Sequence, residues 1–350
     1  MFILVIMFFS AYGEEQTINK NYCLSLGTQF GFVHGRAFEL VYSLPGETKG
    51  ELLSELIWEM KPVFFYGFTL DFRKADLLSS PGFMASISFK SGIPKDSGNI
   101  ENYDWMSNTN SNLTHYSIHP NKTQELYIFD ALLGASIPVK SLFYINPFIS
   151  GSWMHFSFSG RDGLLKYARP VACSQYCQMS NHALGCQWNG DPFTTYYPID
   201  LNPFYYPYNN TEVIRYKQDW LLIAAGFTIG TNIFSPFSFN LSFQISPFTY
   251  CTAVDTHLKR NPPRTFFDYP RMGLFLEPGT SVSFTYKSLE LTLEAAYRYI
   301  GKAKGDSYYR DDGFIQHYKS TNKTGAGLSV FNTSLLVKVL FELKEKNLWE

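Results

Sequence analysis

Residues 237–246 read FSFNLSFQIS. Phe237, Phe239, Leu241, Phe243 and Ile245 alternate with Ser238, Asn240, Ser242, Gln244 and Ser246, so an extended chain here has one wholly apolar face and one face of hydroxyls and amides. The same division recurs in Leu289, Leu291, Leu293, Ala295, Tyr297 and Tyr299 against Glu290, Thr292, Glu294, Ala296 and Arg298. It recurs again in Phe83, Ala85, Ile87 and Phe89 against Met84, Ser86, Ser88 and Lys90. A longer run of Leu56, Trp58, Met60, Phe64, Tyr66, Phe68, Leu70 and Phe72 reads as a single apolar face opposite Glu59, Lys61, Thr69 and Asp71. Strands of soluble proteins average about five or six residues, far fewer than this. A membrane-spanning barrel needs about ten alternating positions per strand, apolar toward lipid and polar toward the lumen. The pattern predicts an all-β, antiparallel transmembrane β-barrel.

Composition agrees. Only 17% of the 350 residues are charged and 18% are aromatic, with 24 Tyr and 32 Phe, against about 25% charged in an ordinary soluble domain. The net charge of -1 gives no basic field for nucleic acid and no acidic solvating tail. The start, MFILVIMFFSAYGEE, has an apolar core too short to span a bilayer, followed by the small residues Ala11 and Gly13, so 1–13 is read as an export signal and 14–350 as one barrel domain. No later segment is apolar for long enough to make a membrane helix. Of the five cysteines, Cys173, Cys177 and Cys186 cluster where an oxidising compartment would permit one disulfide; their spacing is not that of a zinc site, and neither metal nor cofactor is expected.

Ten strands are predicted, at 23–42, 52–72, 80–94, 122–138, 141–161, 213–232, 235–257, 265–286, 288–304 and 325–343. Tight turns alternate with long polar connections at 91–121, 163–212, 258–264 and 303–322, as in a barrel with short turns at one rim and large loops, here enlarged at 163–212, at the other.

NYDWM at 102–106, SIHP at 117–120 and DTH at 255–257 resemble motifs of the omptin family of outer-membrane proteases. Further likeness lies in FELVY at 38–42, FSFSGRDG at 156–163, YKQ at 216–218 and KTGAG at 323–327, collinear over nearly the whole chain. The resemblance implies a ten-stranded barrel in the bacterial outer membrane that cleaves polypeptides next to basic residues from an extracellular groove. Asp255 and His257 would form the family's dyad, and Asp104 would help hold the attacking water. Glu39 matches the glutamate of the pocket for the basic side chain, and Ser117 a serine near the groove that would position substrate. The sequence departs from the family where an acidic residue is expected at Asn102 and again at Ala253. Gly151, Trp153 and His155 stand where a lipopolysaccharide site would fall, so that site is not recognisable.

The chemistry of these residues can be read without the name. Amide hydrolysis needs a base for the nucleophile and an acid for the departing amine, and a histidine oriented by a carboxylate serves both steps. Asp255 and His257, two apart on an extended segment, point the same way. On its own, D-x-H reads better as a solvated turn in an exposed loop. Asn102 can hold a water but cannot accept its proton, and Glu101 beside it would point to the opposite face unless the strand bulges. Glu39 reads otherwise as a plain lumen charge, and His119 is given no catalytic role. One difficulty is parity: continuing the alternation of 237–245 upward puts Asp255 and His257 on the lipid face, so a bulge, with Pro247 as the candidate, must change the register. The leading expectation is an endopeptidase acting on polypeptides with basic residues, embedded in outer-membrane lipid. The alternative is a non-hydrolysing barrel that binds through its 163–212 loop, and a porin is the weaker third, since ten strands leave little pore.

Overall fold

The computed structural model describes residues 22–43, 52–74, 81–105, 113–139, 143–167, 204–205, 211–231 and 235–343. The expected export signal, the three clustered cysteines and most of the 163–212 connection lie outside the described residues. The strands are β1 (Tyr22–Tyr42), β2 (Leu52–Lys74), β3 (Gly82–Gly92), β4 (Lys95–Asp104), β5 (His115–Val139), β6 (Phe143–Arg161), β7 (Leu164–Tyr167), β8 (Phe204–Tyr205), β9 (Glu212–Thr231), β10 (Phe237–Ser246), β11 (Thr249–His257), β12 (Arg264–Arg271), β13 (Phe275–Tyr286), β14 (Leu289–Asp311) and β15 (Tyr318–Leu343).

Every pairing is antiparallel, and β15 pairs with both β14 and β1, which closes the sheet. β4 prolongs β3, β11 prolongs β10, and β12 and β13 together form one stave, so the ring has ten staves, as the sequence predicts. β7 and β8 extend the sheet from the upper part of β5. "Upper" denotes the end that carries β4, β11 and β12.

The segments 91–121 and 303–322, expected to be loops, are largely strand, since β4, the start of β5, the end of β14 and the start of β15 fall within them. Their polar composition reflects a sheet rising above the apolar belt, where water can wet the outer face. Below, the outer wall exposes Leu26, Phe30, Phe68, Leu133, Ile149, Ile223, Leu241, Leu293 and Leu335, as lipid-facing positions must.

A second correction concerns 56–72. Its apolar residues do not share a face: Trp58 and Met60 are fully buried in the interior, whereas Phe64, Tyr66 and Phe68 are half exposed on the outer wall. The pairing of β1 with β2 shifts by one residue between Val33 and Gly35, opposite Pro62, and an inserted residue reverses every side chain beyond it. Similar shifts occur between Asp96 and Asn99 on β4 and between Thr123 and Glu125 on β5. On the other side of the barrel, β9 pairs Ala225 with Ile245 but Leu222 with Thr249, so 246–248 holds the extra residue that the parity of Asp255 and His257 requires. The β12–β13 junction interrupts the next stave at 272–274, and the β14–β15 pairing slips between Ile300 and Ala303. Irregularities thus fall on two groups of three neighbouring staves, while β1, β6, β9 and β15 keep one parity over most of their length.

The backbone groups that these bulges release are taken up by side chains, as buried polar groups must be. Ser97 Oγ and Asn121 Nδ2 donate to the Glu59 carbonyl at 3.2 and 2.6 Å, and the Asn99 N–H donates to Glu59 Oε2 at 3.1 Å. Gly98 has φ +98°, and a Cβ there would meet Glu59 Oε2 at 2.7 Å, so glycine suits the bulge on both counts. At the other group, Ser246 Oγ donates to the Ile223 carbonyl at 2.5 Å and accepts from the Phe248 N–H at 2.9 Å, while Thr249 Oγ1 donates to the Gly273 carbonyl at 2.9 Å.

The lower lumen is filled by paired charges. Arg298 bonds Glu277, Asp130 (3.2 Å) and Ser152 (3.2 Å), and Arg73 meets Glu290 at 2.6 Å. Lys338 lies 3.0 Å from Asp71 and 3.4 Å from Glu290.

Candidate active site

The upper lumen carries two facing walls, each standing on one group of bulges. On the first, β4 lies between β2 and β5, with Ser54 opposite Asp104 and Asn102 opposite Ser117. Ser54 Oγ donates to Asn102 Oδ1 at 3.2 Å, and Asn102 Nδ2 donates to Asp104 Oδ2 at 3.2 Å. This chain of hydrogen bonds fixes the amide, since Oδ1 accepts and Nδ2 donates. The register from Asn99 to Asp104 is unbroken, so Glu101 points to the opposite face, where it accepts from Tyr103 Oη at 2.8 Å. Burial raises the Asp104 carboxyl to about 6, against the lowering influence of Ser54, Asn102, His257 and Arg260. That His257 acts electrostatically on Asp104 puts the two walls within range across one cleft.

On the second wall, the extra residue at 246–248 turns Thr249, Cys251, Ala253 and Asp255 inward, and all four are buried. Asp255 is 1% exposed, and its Oδ2 lies 2.5 Å from Nε2 of the half-buried His257. The edge of Phe266, at 5.6 Å between ring centroids, restrains the imidazole from the neighbouring strand. The Arg260 guanidinium sits 5.4 Å from the Phe266 ring and acts electrostatically on both Asp255 and Asp104, a cation that the sequence reading did not single out.

Glu39, on β1 between β2 and β15, is 4% exposed. Its surroundings are aromatic: Trp58 stacks on Tyr216 at 5.1 Å and on Phe158 at 5.6 Å. Gln218 donates to the Phe38 carbonyl at 2.8 Å and to Tyr216 Oη at 2.7 Å, and it accepts from the Trp220 indole at 3.0 Å, which closes the floor. Burial, and then the charges of Asp255 and Asp268, push the Glu39 carboxyl well above its usual range. In that state it can donate a proton to Asp255.

Asp268 was missed in the sequence. It lies on β12 directly across from Ala253, is 4% exposed, and is raised to about 7 by burial, with Ser307 and Thr324 hydroxyls opposing. The available signal was a lone acid among aromatics, in RTFFDYPR at 264–271.

Ser117 is buried beside Asn102, its direct cross-strand partner, and its Oγ lies 3.1 Å from His119 Nε2. The other His119 nitrogen meets the Asp162 carbonyl, so that ring is fully partnered within the wall. Thus Asp104, Asn102, Asp255, His257 and Glu39 gather in the upper lumen, and Ser117 stands beside Asn102 on the first wall, bonded to His119. His155 lies on the outer wall, 3.1 Å from Glu125 and 2.8 Å from Asp219, in surroundings that favour a cation over a phosphate. Among the described residues, no three His, Cys, Asp or Glu side chains are arranged to hold a metal ion.

The fold has a near counterpart in the crystal structure of the outer membrane protease OmpT from Escherichia coli, with TM-score 0.70, 16% identity, and 94% of this chain and 100% of that chain covered. The translocator domain of the autotransporter NalP from Neisseria meningitidis is far more distant, with TM-score 0.36, 7% identity, and 93% and 90% covered. No curated protein matches the chain. The sequence profile of the Omptin family matches residues 20–342. Over nearly its whole length, therefore, this chain belongs to the omptin family.

Proposed function

We propose that this omptin is an outer-membrane endopeptidase, with its cleft toward the cell exterior, that cleaves polypeptides next to basic residues. His257, oriented by Asp255, takes a proton from a water held between it and Asp104 and later returns that proton to the departing amine. Asp104 steadies the water as a carboxylate, and Asn102 orients it by hydrogen bonding without sharing its charge. Glu39 receives the substrate's basic side chain in the buried pocket below. The observation that supports this reading is the Asp255–His257 contact of 2.5 Å on one wall, with Asp104 electrostatically coupled to His257 from the other.

The test is cleavage of a quenched peptide containing Arg-Arg or Lys-Lys by the detergent-folded protein. Turnover is expected, and it should be lost in both Asp255→Ala and His257→Ala. Persistent cleavage by His257→Ala removes the dyad from the mechanism. Asn102, where an acid is expected, favours a second reading as a non-hydrolysing surface binder; no turnover in the parent, restored by Asn102→Asp, selects it.

A further inference from the structure

The deep pocket holds more acidic groups than Glu39 alone, and their acceptors are incompletely used. Three carboxyl groups, Glu39, Asp255 and Asp268, are each at least nine-tenths buried, and with all three ionised Glu39 Oε2, Asp255 Oδ1 and Asp268 Oδ1 each lack a hydrogen-bond donor. Asp255 is committed to His257 through its other oxygen. Among the described residues, neither Glu39 nor Asp268 forms a salt bridge, although buried carboxylates elsewhere in this lumen do. A buried acceptor without a donor costs on the order of 1–3 kcal/mol, so two carboxylates left open toward one aromatic pocket are a feature that a ligand would satisfy.

Ala253, directly opposite Asp268, presents only a methyl group, which leaves the space between the strands to the carboxylate. The Asp268 backbone is fixed on both sides, by Ala253 on β11 and Ser307 on β14, and the Ser307 and Thr324 hydroxyls orient its side chain. The acid is therefore held in place without a cationic partner.

We infer that Asp268, together with Glu39, forms a two-carboxylate seat for the substrate's basic side chain and makes the pocket prefer a guanidinium to an ammonium ion. The inference rests on the cation-binding part of the reading above. Two acceptor oxygens from separate carboxylates suit the spread donors of a planar guanidinium, whereas a compact ammonium directs its charge to one point. The stacked faces of Trp58 and Tyr216 add a surface on which a planar cation can lie.

The test is calorimetric binding, to the detergent-folded chain, of peptides with Arg, Lys or citrulline before an N-methylated, uncleavable bond. The parent should bind the Arg peptide on the order of tenfold or more tighter than its neutral citrulline counterpart, with Lys between. Asp268→Asn should abolish most of that discrimination while leaving citrulline binding unchanged. The double variant Ala253→Asp with Asp268→Ala, which moves the carboxylate across the strand pair, should restore it. Folding of each variant is checked by resistance to detergent unfolding, and Asp268→Ser replaces the Asn variant if that one fails to fold. Full discrimination in the folded single variant, or none in the parent, overturns the inference. Discrimination by a parent that does not cleave the unmethylated peptide defeats hydrolysis and leaves the seat in place.

Discussion

Below the bulges and above them, the same barrel treats buried acids in opposite ways. In the lower lumen Asp71, Glu290, Glu277 and Asp130 are matched by Arg73, Lys338 and Arg298. In the upper lumen Glu39 and Asp268 have no such partner, Asp255 has an imidazole, Asp104 has an amide, and both feel one more distant guanidinium, that of Arg260. Unpaired buried charge is costly to a fold, so it persists where something other than folding requires it. The lower network reads as packing in polar form. The upper one reads as a site prepared for cationic substrate.

The largest effect expected from breaking this contrast is on chemistry. His257→Ala should lower kcat/KM on the order of a thousandfold, measured on the protein that remains folded, because removing the imidazole also takes from the buried Asp255 its partner at 2.5 Å. Next comes stability. Arg298→Met strands Glu277 and Asp130 in the lower lumen, and denaturant unfolding in detergent should show a loss of about 3–5 kcal/mol. The kcat of the protein that remains folded should be unchanged. A large loss of kcat there would mean that the two halves are not independent.

Glu39→Gln is the mirror experiment, since it removes an unmatched acid instead of stranding one. Because the folded Glu39 carboxyl lies above its unfolded value of 4.5, ionising it costs the fold progressively more as pH rises beyond 4.5. At pH 8 the variant should be at least as stable as the parent, while kcat/KM for a basic substrate drops about tenfold to a hundredfold. A destabilised Gln variant would place Glu39 with the structural charges after all.

The ring of ten staves was legible because lipid forces strict alternation, and 237–246 and 289–299 obey it. What alternation conceals is a bulge. Across 56–72 the apolar character continues through Pro62 although the face reverses, because a buried aromatic interior and a lipid-facing wall ask for the same residue types. Near 247 the reversal could be inferred, since polar Asp255 and His257 would otherwise face lipid and Pro247 cannot donate to a ladder. Asp268 was illegible for another reason: its role depends on standing opposite Ala253, a pairing fixed by the register of β11 with β12 and by no local pattern. The side chains that seal the bulges, Ser97, Asn121 and Ser246, look like ordinary loop polarity until the backbone groups they satisfy are seen.

The smallest expected effect is also the one that bears most directly on Asn102. Burial raises the Asp104 carboxyl from 3.8 to about 6, and its proposed work requires the ionised form, so kcat/KM should fall as pH drops through about 6, by about tenfold for each unit below. The same shift means that the folded protein holds this proton more tightly than the unfolded chain, so the group favours folding at low pH and loses that contribution as pH rises from 3.8 to about 6. Asn102→Asp replaces a neutral amide, now donating to Asp104 at 3.2 Å, with a second carboxylate. Two acids at that separation share one proton, and the upper apparent pKa of the pair rises. The acid limb should therefore move above 6, while the rate on the alkaline side changes by no more than about threefold, since His257 and Asp255 are untouched. An acid limb that stays in place in Asn102→Asp would show that Asp104 is not the group titrating, and that the first wall holds the water by geometry without its charge.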